Sequence, residues 1–203
     1  KVFGGAIALH PAQIVNKELS MVQKQELQTT EKQAIARYAA SLIEPDDCVY
    51  LDAGTTTGWM IEYIRQEKAT YITNALSHAK RLADKGFSVI LIGGEPKSST
   101  DAIVGGEAVL NLQKYHFSKG FFGVNGIDRL SGFTTPDVKE AVVKQAAVKN
   151  TQPAHRYFLT TSSKFGEVYA VTFAGFEGGT ILTEDNVSEA LPKSIEIINV
   201  TQQ

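Results

Sequence analysis

The stretch Tyr50–Met60, YLDAGTTTGWM, decides how the rest of the chain is read. An apolar run meets an aspartate, then a glycine and three consecutive threonines, and then turns apolar again. With the residues before it, CVYLDA has the continuous apolar character of a short strand buried on both faces. Downstream, GWMIEYIRQ places Trp59, Met60, Tyr63 and Ile64 on one side of a helix. The unit is strand, hydroxyl-rich turn, helix.

The same alternation extends in both directions. TTEKQAIARYAASLIEP reads as a helix, with Thr30 and Gln33 fitting a capping box, Ile35, Ala39, Leu42 and Ile43 at helical spacing, and Pro45 as terminator. TYIT reads as a strand, ALSHAKRLADKG as a helix with Gly86 at C′, and FSVILIGG as a buried strand. EAVLNLQKY and DVKEAVVKQAAVKN read as helices. GFFGVNG reads as a strand and loop, and RYFLTT, GTILTE and SIEIINV as further strands. Short buried strands between helices imply an α/β fold: a mostly parallel sheet with helices on both faces. No internal repeat or low-complexity segment interrupts it.

The 203 residues, 43% hydrophobic and 21% charged, suit one compact domain. A net charge of −2 with dispersed basic residues argues against tight nucleic-acid binding by this piece itself. The single cysteine, Cys48, permits no intrachain disulfide, and a cytoplasmic setting is expected. No apolar run reaches membrane-span length and no signal peptide is expected, so no membrane partner is expected. His10, His78, His116 and His155 are scattered without ligand spacing, so neither a metal nor another cofactor is expected. The first residue, Lys1, suggests a piece of something longer.

In a parallel sheet the strand C-termini share one edge, where ligands bind. The residues expected there are Asp52 and Gly54–Thr57, then Thr73 and Asn74, Gly93 and Gly94, Asn125 and Gly126, and Ser162–Lys164. Gly54 permits close approach of an anion. A helix beginning near Thr56 or Thr57 aims free N–H groups and its positive dipole end at the same spot. A phosphate fits there; threonines that merely cap the helix fit equally well. GxxxxGK[ST] is absent, so this is not a P-loop. Asp52 either accepts sugar hydroxyls or fixes its own turn. Glu140 and Lys144 are spaced for an i,i+4 pair, with Asp137 as cap and Glu140 reaching back; alternatively both stand at the mouth of a sugar site.

These residues resemble the effector-binding domain of DeoR-type transcriptional regulators. KVFGGA is similar to the segment after that family's winged helix-turn-helix. EKQAIARYAASLIEPDDCVYLDAGTTT, YITNAL, ILIGG, VGGEAV, FFGVNGID, GFTTPDVKEAVVK, SSKFG and ILTED follow in the family's order. The resemblance implies a ribose-5-phosphate-isomerase-like fold over residues 29–203, with residues 1–28 as a linker after a separate DNA-binding domain. It implies a phosphorylated-sugar effector and contact roles for Asp52, Gly54, Thr55, Thr56, Thr73, Asn74, Gly93, Gly94, Asn125, Glu140, Lys144 and Lys164. A homo-oligomer is expected, with DNA contacted only through the other domain. One departure is that Thr160 and Thr161 stand where the family commonly has an acidic residue before SSK. The rival expectation is a phosphosugar isomerase with Glu140 as base. It is ranked lower because Asn125 and Gly126 replace the acidic cluster such an enzyme carries.

Overall fold

The computed structural model describes residues 13–15, 21–187 and 191–202. Its central sheet has seven strands, all parallel: β1 (Cys48–Leu51), β2 (Thr70–Thr73), β3 (Ser88–Leu91), β4 (Lys119–Gly123), β5 (Arg156–Leu159), β6 (Gly179–Thr183) and β7 (Ile195–Asn199). Their order across the sheet is β7-β6-β5-β4-β1-β2-β3. The chain steps outward from β1 to β3, returns to the middle, and steps the other way from β4. Right-handed crossovers then place the helices of the two runs on opposite faces.

One face carries α2 (Thr29–Ser41), α3 (Thr55–Tyr63) and α4 (Leu76–Asp84), preceded by the short α1 (Met21–Glu26). The other carries α5 (Gly106–Leu112) and α6 (Val138–Lys149). Strand alternation divides the core accordingly. Val49, Leu51 and Phe121 pack with Ile35, Ala36, Met60 and Ile61, whereas Tyr50, Phe122 and Phe158 pack with Ala108, Leu112, Ala141 and Ala147. The second face also holds a three-stranded antiparallel sheet, Gly126–Asp128, Gly132–Thr135 and Val171–Ala174. Its Phe133 stacks on Phe158 with ring centroids 3.8 Å apart. A hairpin, Glu95–Lys97 with Ala102–Val104, follows β3 directly.

The α/β class with a parallel sheet covered on both faces is what the sequence pattern implies. Three local expectations fail. The Thr30–Gln33 capping box does not form: α2 starts at Thr29 behind a left-handed Gln28 (φ 52°) with no side-chain cap. The helix after the threonines starts at Thr55, earlier than expected. FSVILIGG is buried only at Ile92: β3 lies at the sheet edge, with Ile90 37% and Leu91 39% exposed. An apolar run reports the absence of charge, and the strand's place in the sheet decides its burial. Gly86 does adopt the left-handed conformation (φ 85°) just past α4.

The expected linker lies partly outside the described residues. Its described end is folded onto the domain. Gln13 and Ile14 pair in parallel with Glu167 and Val168, and Lys32 on α2 donates to the carbonyls of Lys24 and Leu27.

Candidate functional site

The sheet order reverses between β1 and β4, and there the strands' C-terminal ends part to leave a crevice. The turn Asp52–Gly54 leaves β1 on one side and Gly123–Asn125 leaves β4 on the other. One end of the crevice is lined by Gly54, Thr55, Thr56, Thr100, Asn125, Glu140 and Lys144. The other is lined by Gln28, Lys32, Thr160, Thr161 and Lys164. Lys24, Thr55, Thr56, Val124 and Asn125 belong to both.

The threonines divide their work. Thr57 is fully buried and its hydroxyl donates to the carbonyls of Asp52 (2.7 Å) and Gly54 (3.0 Å), fastening the turn. It therefore caps none of the helix's N–H groups, and Gly54 has no side chain with which to do so. The first-turn amides of α3 have no intrahelical acceptor. The hydroxyls of Thr55 and Thr56 make no hydrogen bond among the described residues and line the crevice. Donors thus remain available at the positive end of the helix.

At the first end, charges are paired in depth. Asp52 is 1% exposed, and its Oδ2 accepts from the Gly123 amide (3.0 Å) and from Lys144. Its Oδ1 is buried without a partner among the described residues. Burial pushes the Asp52 carboxyl above the ordinary range, against the opposing pull of Lys144 and the Gly123 amide. Lys144 also donates to the Gly123 carbonyl (3.0 Å) and sits 5.4 Å from the Phe173 ring centroid. The expected Glu140–Lys144 pair is thus replaced by Lys144–Asp52. Asp137 does cap α6, accepting from the Glu140 amide (3.0 Å), but the Glu140 carboxylate does not reach back. It instead accepts from Lys97 (2.8 Å) and Thr100 (2.6 Å) of the hairpin. Burial opposes the Glu140 charge, but those hydrogen bonds and Lys144 outweigh it and hold its pKa below the usual value.

The second end is cationic. Lys24, Lys32 and Lys164 line it together. Burial, with repulsion from Lys164 and Lys24, lowers the pKa of Lys32 to about 8. Lys164 approaches Glu167 at 3.6 Å. Thr161 and Ser163 donate toward the Gln28 amide oxygen (2.9 and 3.1 Å), closing the wall between α2 and the loop after β5.

Of the residues expected at the strand ends, eight do not line this crevice: Thr57, Ser162 and Ser163, and the five described next. Thr73 is fully buried, donating to the Leu51 carbonyl (2.6 Å) and accepting from the Ala75 amide (3.1 Å). Asn74 is buried behind the turn: its Oδ1 accepts from Ala53 N (2.9 Å) and the Tyr50 hydroxyl (3.1 Å), and its amide donates to Ile103 O (3.3 Å). Both brace the loop from below. Gly94 lies against the hairpin, where a Cβ would stand 2.7 Å from Ile103 Cγ2, and Gly93 stays beside Asn111. A Cβ on Gly126 would come 2.4 Å from the Glu167 carbonyl, so that glycine admits a neighbouring strand. Asp52, Gly54, Thr55, Thr56, Asn125, Glu140, Lys144 and Lys164 do converge on the crevice. Lys24, Gln28, Lys32, Lys97, Thr100 and Gly123 complete it and were not anticipated. No motif marks them, since they come from surface-like lysines, a short hairpin and a strand terminus.

The DeoR C terminal sensor domain matches residues 27–186. The chain is 42% identical to an uncharacterized HTH-type transcriptional regulator FruR of Bacillus subtilis, over 91% of this chain and 72% of the relative. It is 35% identical to a lactose phosphotransferase system repressor of Staphylococcus aureus, over 97% of this chain and 77% of that protein. Among solved structures it is similar to ribose 5 phosphate isomerase A from Neisseria gonorrhoeae, with a TM-score of 0.48 and 11% identity, covering 71% of this chain and 55% of the isomerase. The chain belongs to the DeoR family of transcriptional regulators and spans that family's C-terminal sensor domain.

Proposed function

We propose that the crevice binds a phosphorylated sugar and that binding alters the operator affinity of a separate DNA-binding domain, making this the effector-sensing part of a cytoplasmic repressor of sugar metabolism. The observation that carries this reading is the division of one crevice into two chemistries. Open α3 amides, the Thr55 and Thr56 hydroxyls and three lysines suit a phosphate dianion at one end. The Asp52–Lys144 and Glu140–Lys97 pairs, with the partnerless Asp52 Oδ1, suit the hydroxyls of a polyol at the other.

Binding without turnover is favoured over isomerisation. An enediolate mechanism needs a carboxylate basic enough to take a carbon-bound proton. Glu140 is already hydrogen-bonded to Lys97 and Thr100, and its pKa is lowered rather than raised. The repressor names of the relatives agree with a sensor.

The test is thermal denaturation with five- and six-carbon sugar phosphates, each beside its parent sugar. A ligand at a hundred times its dissociation constant adds about 2.7 kcal/mol, or roughly 5–10 °C for a chain this size. A phosphate-dependent shift is expected; in Thr55→Val, which should fold normally, affinity should be about tenfold weaker and the shift roughly halved. No shift from any phosphorylated sugar would refute the proposal.

A further inference from the structure

The short helix α1 straddles the first turn of α3. Its Lys24 lines the crevice beside Thr55 and Thr56. Its Gln25 lines a different cavity, of about 270 Å3, which Thr55 also borders together with Trp59, His78 and Arg81. Leu27 and Gln28, which join α1 to α2, wall the lysine end of the crevice.

The crevice beside α1 is tight. Its lysine end holds about 80 Å3 and its other end about 70 Å3. Sites for small organic ligands span roughly 300–1,000 Å3. A sugar phosphate therefore needs a wall to move. Three of the walls are anchored in the core: α3 through Met60 and Ile61, α6 through Val143 and Ala147, and the hairpin through Ile103 and Val104. α1 is held otherwise. Gln23, Gln25, Glu26 and Leu27 are exposed, and none of residues 23–28 joins either core cluster. At six residues α1 is too short to persist as an isolated helix.

Hydrogen bonds hold its C-terminal end. Lys32 donates to the Lys24 and Leu27 carbonyls, and Thr161 and Ser163 donate to the Gln28 side chain. Two costs oppose these bonds. Gln28 stands in the left-handed region (φ 52°), which is strained for a residue with a Cβ. Closure also brings Lys24 and Lys164 near Lys32, and after burial their repulsion is what lowers the Lys32 pKa. An anion in the crevice removes the second cost. An ammonium has three donors, and two of those on Lys32 serve α1. The third is left for an anion, so Lys32 can bind one without releasing the helix.

We propose that α1 is a strap: it lifts to admit the ligand and is latched over it by the anion, with Lys24 as the contact it carries. This rests on the phosphosugar reading of the crevice and adds that the conformation described is the latched one. A ligand that binds the latched state better shifts the population toward it.

Trp59 is the chain's single tryptophan and shares a cavity with Gln25, so its fluorescence reports the position of the strap. The probes are inorganic phosphate and whichever sugar phosphate gives the largest thermal shift. At saturation, hydrogen exchange at residues 23–28 should slow by about tenfold, and acrylamide quenching of Trp59 should fall. Ser163 does not line the crevice, and Ser163→Ala removes one bond to Gln28. In the ligand-free protein that variant should exchange about two- to tenfold faster at residues 23–28 and unchanged in the core strands. Lys24→Gln should keep a smaller thermal shift, through Lys32, Lys164 and the α3 amides, and lose most of the protection at residues 23–28. A thermal shift with exchange and Trp59 quenching both unaltered would overturn the strap and leave the site reading standing, as would wild-type affinity in Lys24→Gln. No thermal shift from any probe would remove both.

Discussion

Replacing Lys144 by methionine removes the one cation that touches Asp52 among the described residues and keeps most of the side-chain volume. What remains is a carboxylate 1% exposed, with one hydrogen bond from the Gly123 amide and a partnerless Oδ1. Breaking a buried pair on one side costs about 3–5 kcal/mol. A ceiling applies, because Asp52 can escape by protonation. Neutralising an ordinary carboxyl at pH 7 spans about three pH units, or about 4 kcal/mol. The expected loss at pH 7 is therefore about 3–4 kcal/mol, a fall of roughly 6–16 °C in Tm. The sign with pH follows. With Lys144 gone the folded-state pKa of Asp52 rises further above its unfolded value, so stability is regained as pH falls through that raised pKa. At pH 5 neutralisation costs only about 1.5 kcal/mol, and the deficit against wild type should shrink accordingly. Urea denaturation of both proteins at pH 5 and pH 7 measures this. The double variant Asp52→Asn, Lys144→Met should recover much of the loss. A deficit below about 1 kcal/mol, or one of equal size at both pH values, would refute the account of the pair.

Two further tests use groups held away from their ordinary pKa. Lys32, lowered to about 8, should take up a proton when an anion binds above that pH. Phosphosugar affinity should be flat between about pH 7 and 8, where the phosphate is already a dianion, fall by up to tenfold per pH unit above it, and become weaker and pH-independent over that range in Lys32→Met; calorimetry in buffers of different ionisation enthalpy reads the proton directly. His78, buried beside α3, has its pKa lowered to about 4, chiefly by burial. Because the folded state resists its protonation, stability should drop as pH falls from 6.5 toward 4, by about 2–3 kcal/mol from this group alone. His78→Gln should flatten that limb relative to wild type in urea titrations at pH 7 and 4.5, and parallel curves would remove His78 as its cause.

How far the site could be read from sequence depended on how local its determinants are. YLDAGTTTGWM carries its own strand, turn and helix, so Asp52, Gly54, Thr55 and Thr56 could be placed beside one another from the sequence. The alternation of strands and helices likewise gave the parallel sheet. Strand order was not in the pattern, and two misreadings follow from that. FSVILIGG looked buried although β3 takes the edge, and Thr73–Asn74 and Gly93–Gly94, which follow β2 and β3, sit away from the switch point between β1 and β4. The Glu140–Lys144 spacing allowed a local pair, but a partner 92 residues away, Asp52, captured Lys144. Lys97 and Thr100 come from a hairpin with no sequence signature, and Lys24 and Lys32 look like surface charges until Lys32 is seen to reach the carbonyls at the end of α1.

The two ends of the crevice hold their charges differently, and that difference bears on what the site can discriminate. At the end proposed for the polyol, Asp52 and Glu140 are compensated by lysines before any ligand arrives. Hydroxyls entering there exchange one set of hydrogen bonds for another, a transaction whose net worth is small. At the lysine end, Lys32 stays protonated against burial and against Lys164 and Lys24. An arriving dianion relieves that repulsion as well as forming charge-assisted hydrogen bonds of its own. The phosphate should therefore supply most of the affinity, with the sugar hydroxyls setting orientation and identity. The gain falls on Lys32, whose ammonium also holds the carbonyls of Lys24 and Leu27 at the end of α1. A ligand shifts a conformational equilibrium only by its differential affinity for the two states. On the proposed reading, the group most changed by the anion is thus also one that fastens α1 to the domain, so the energy of phosphate recognition would be available where the segment preceding α2 joins it.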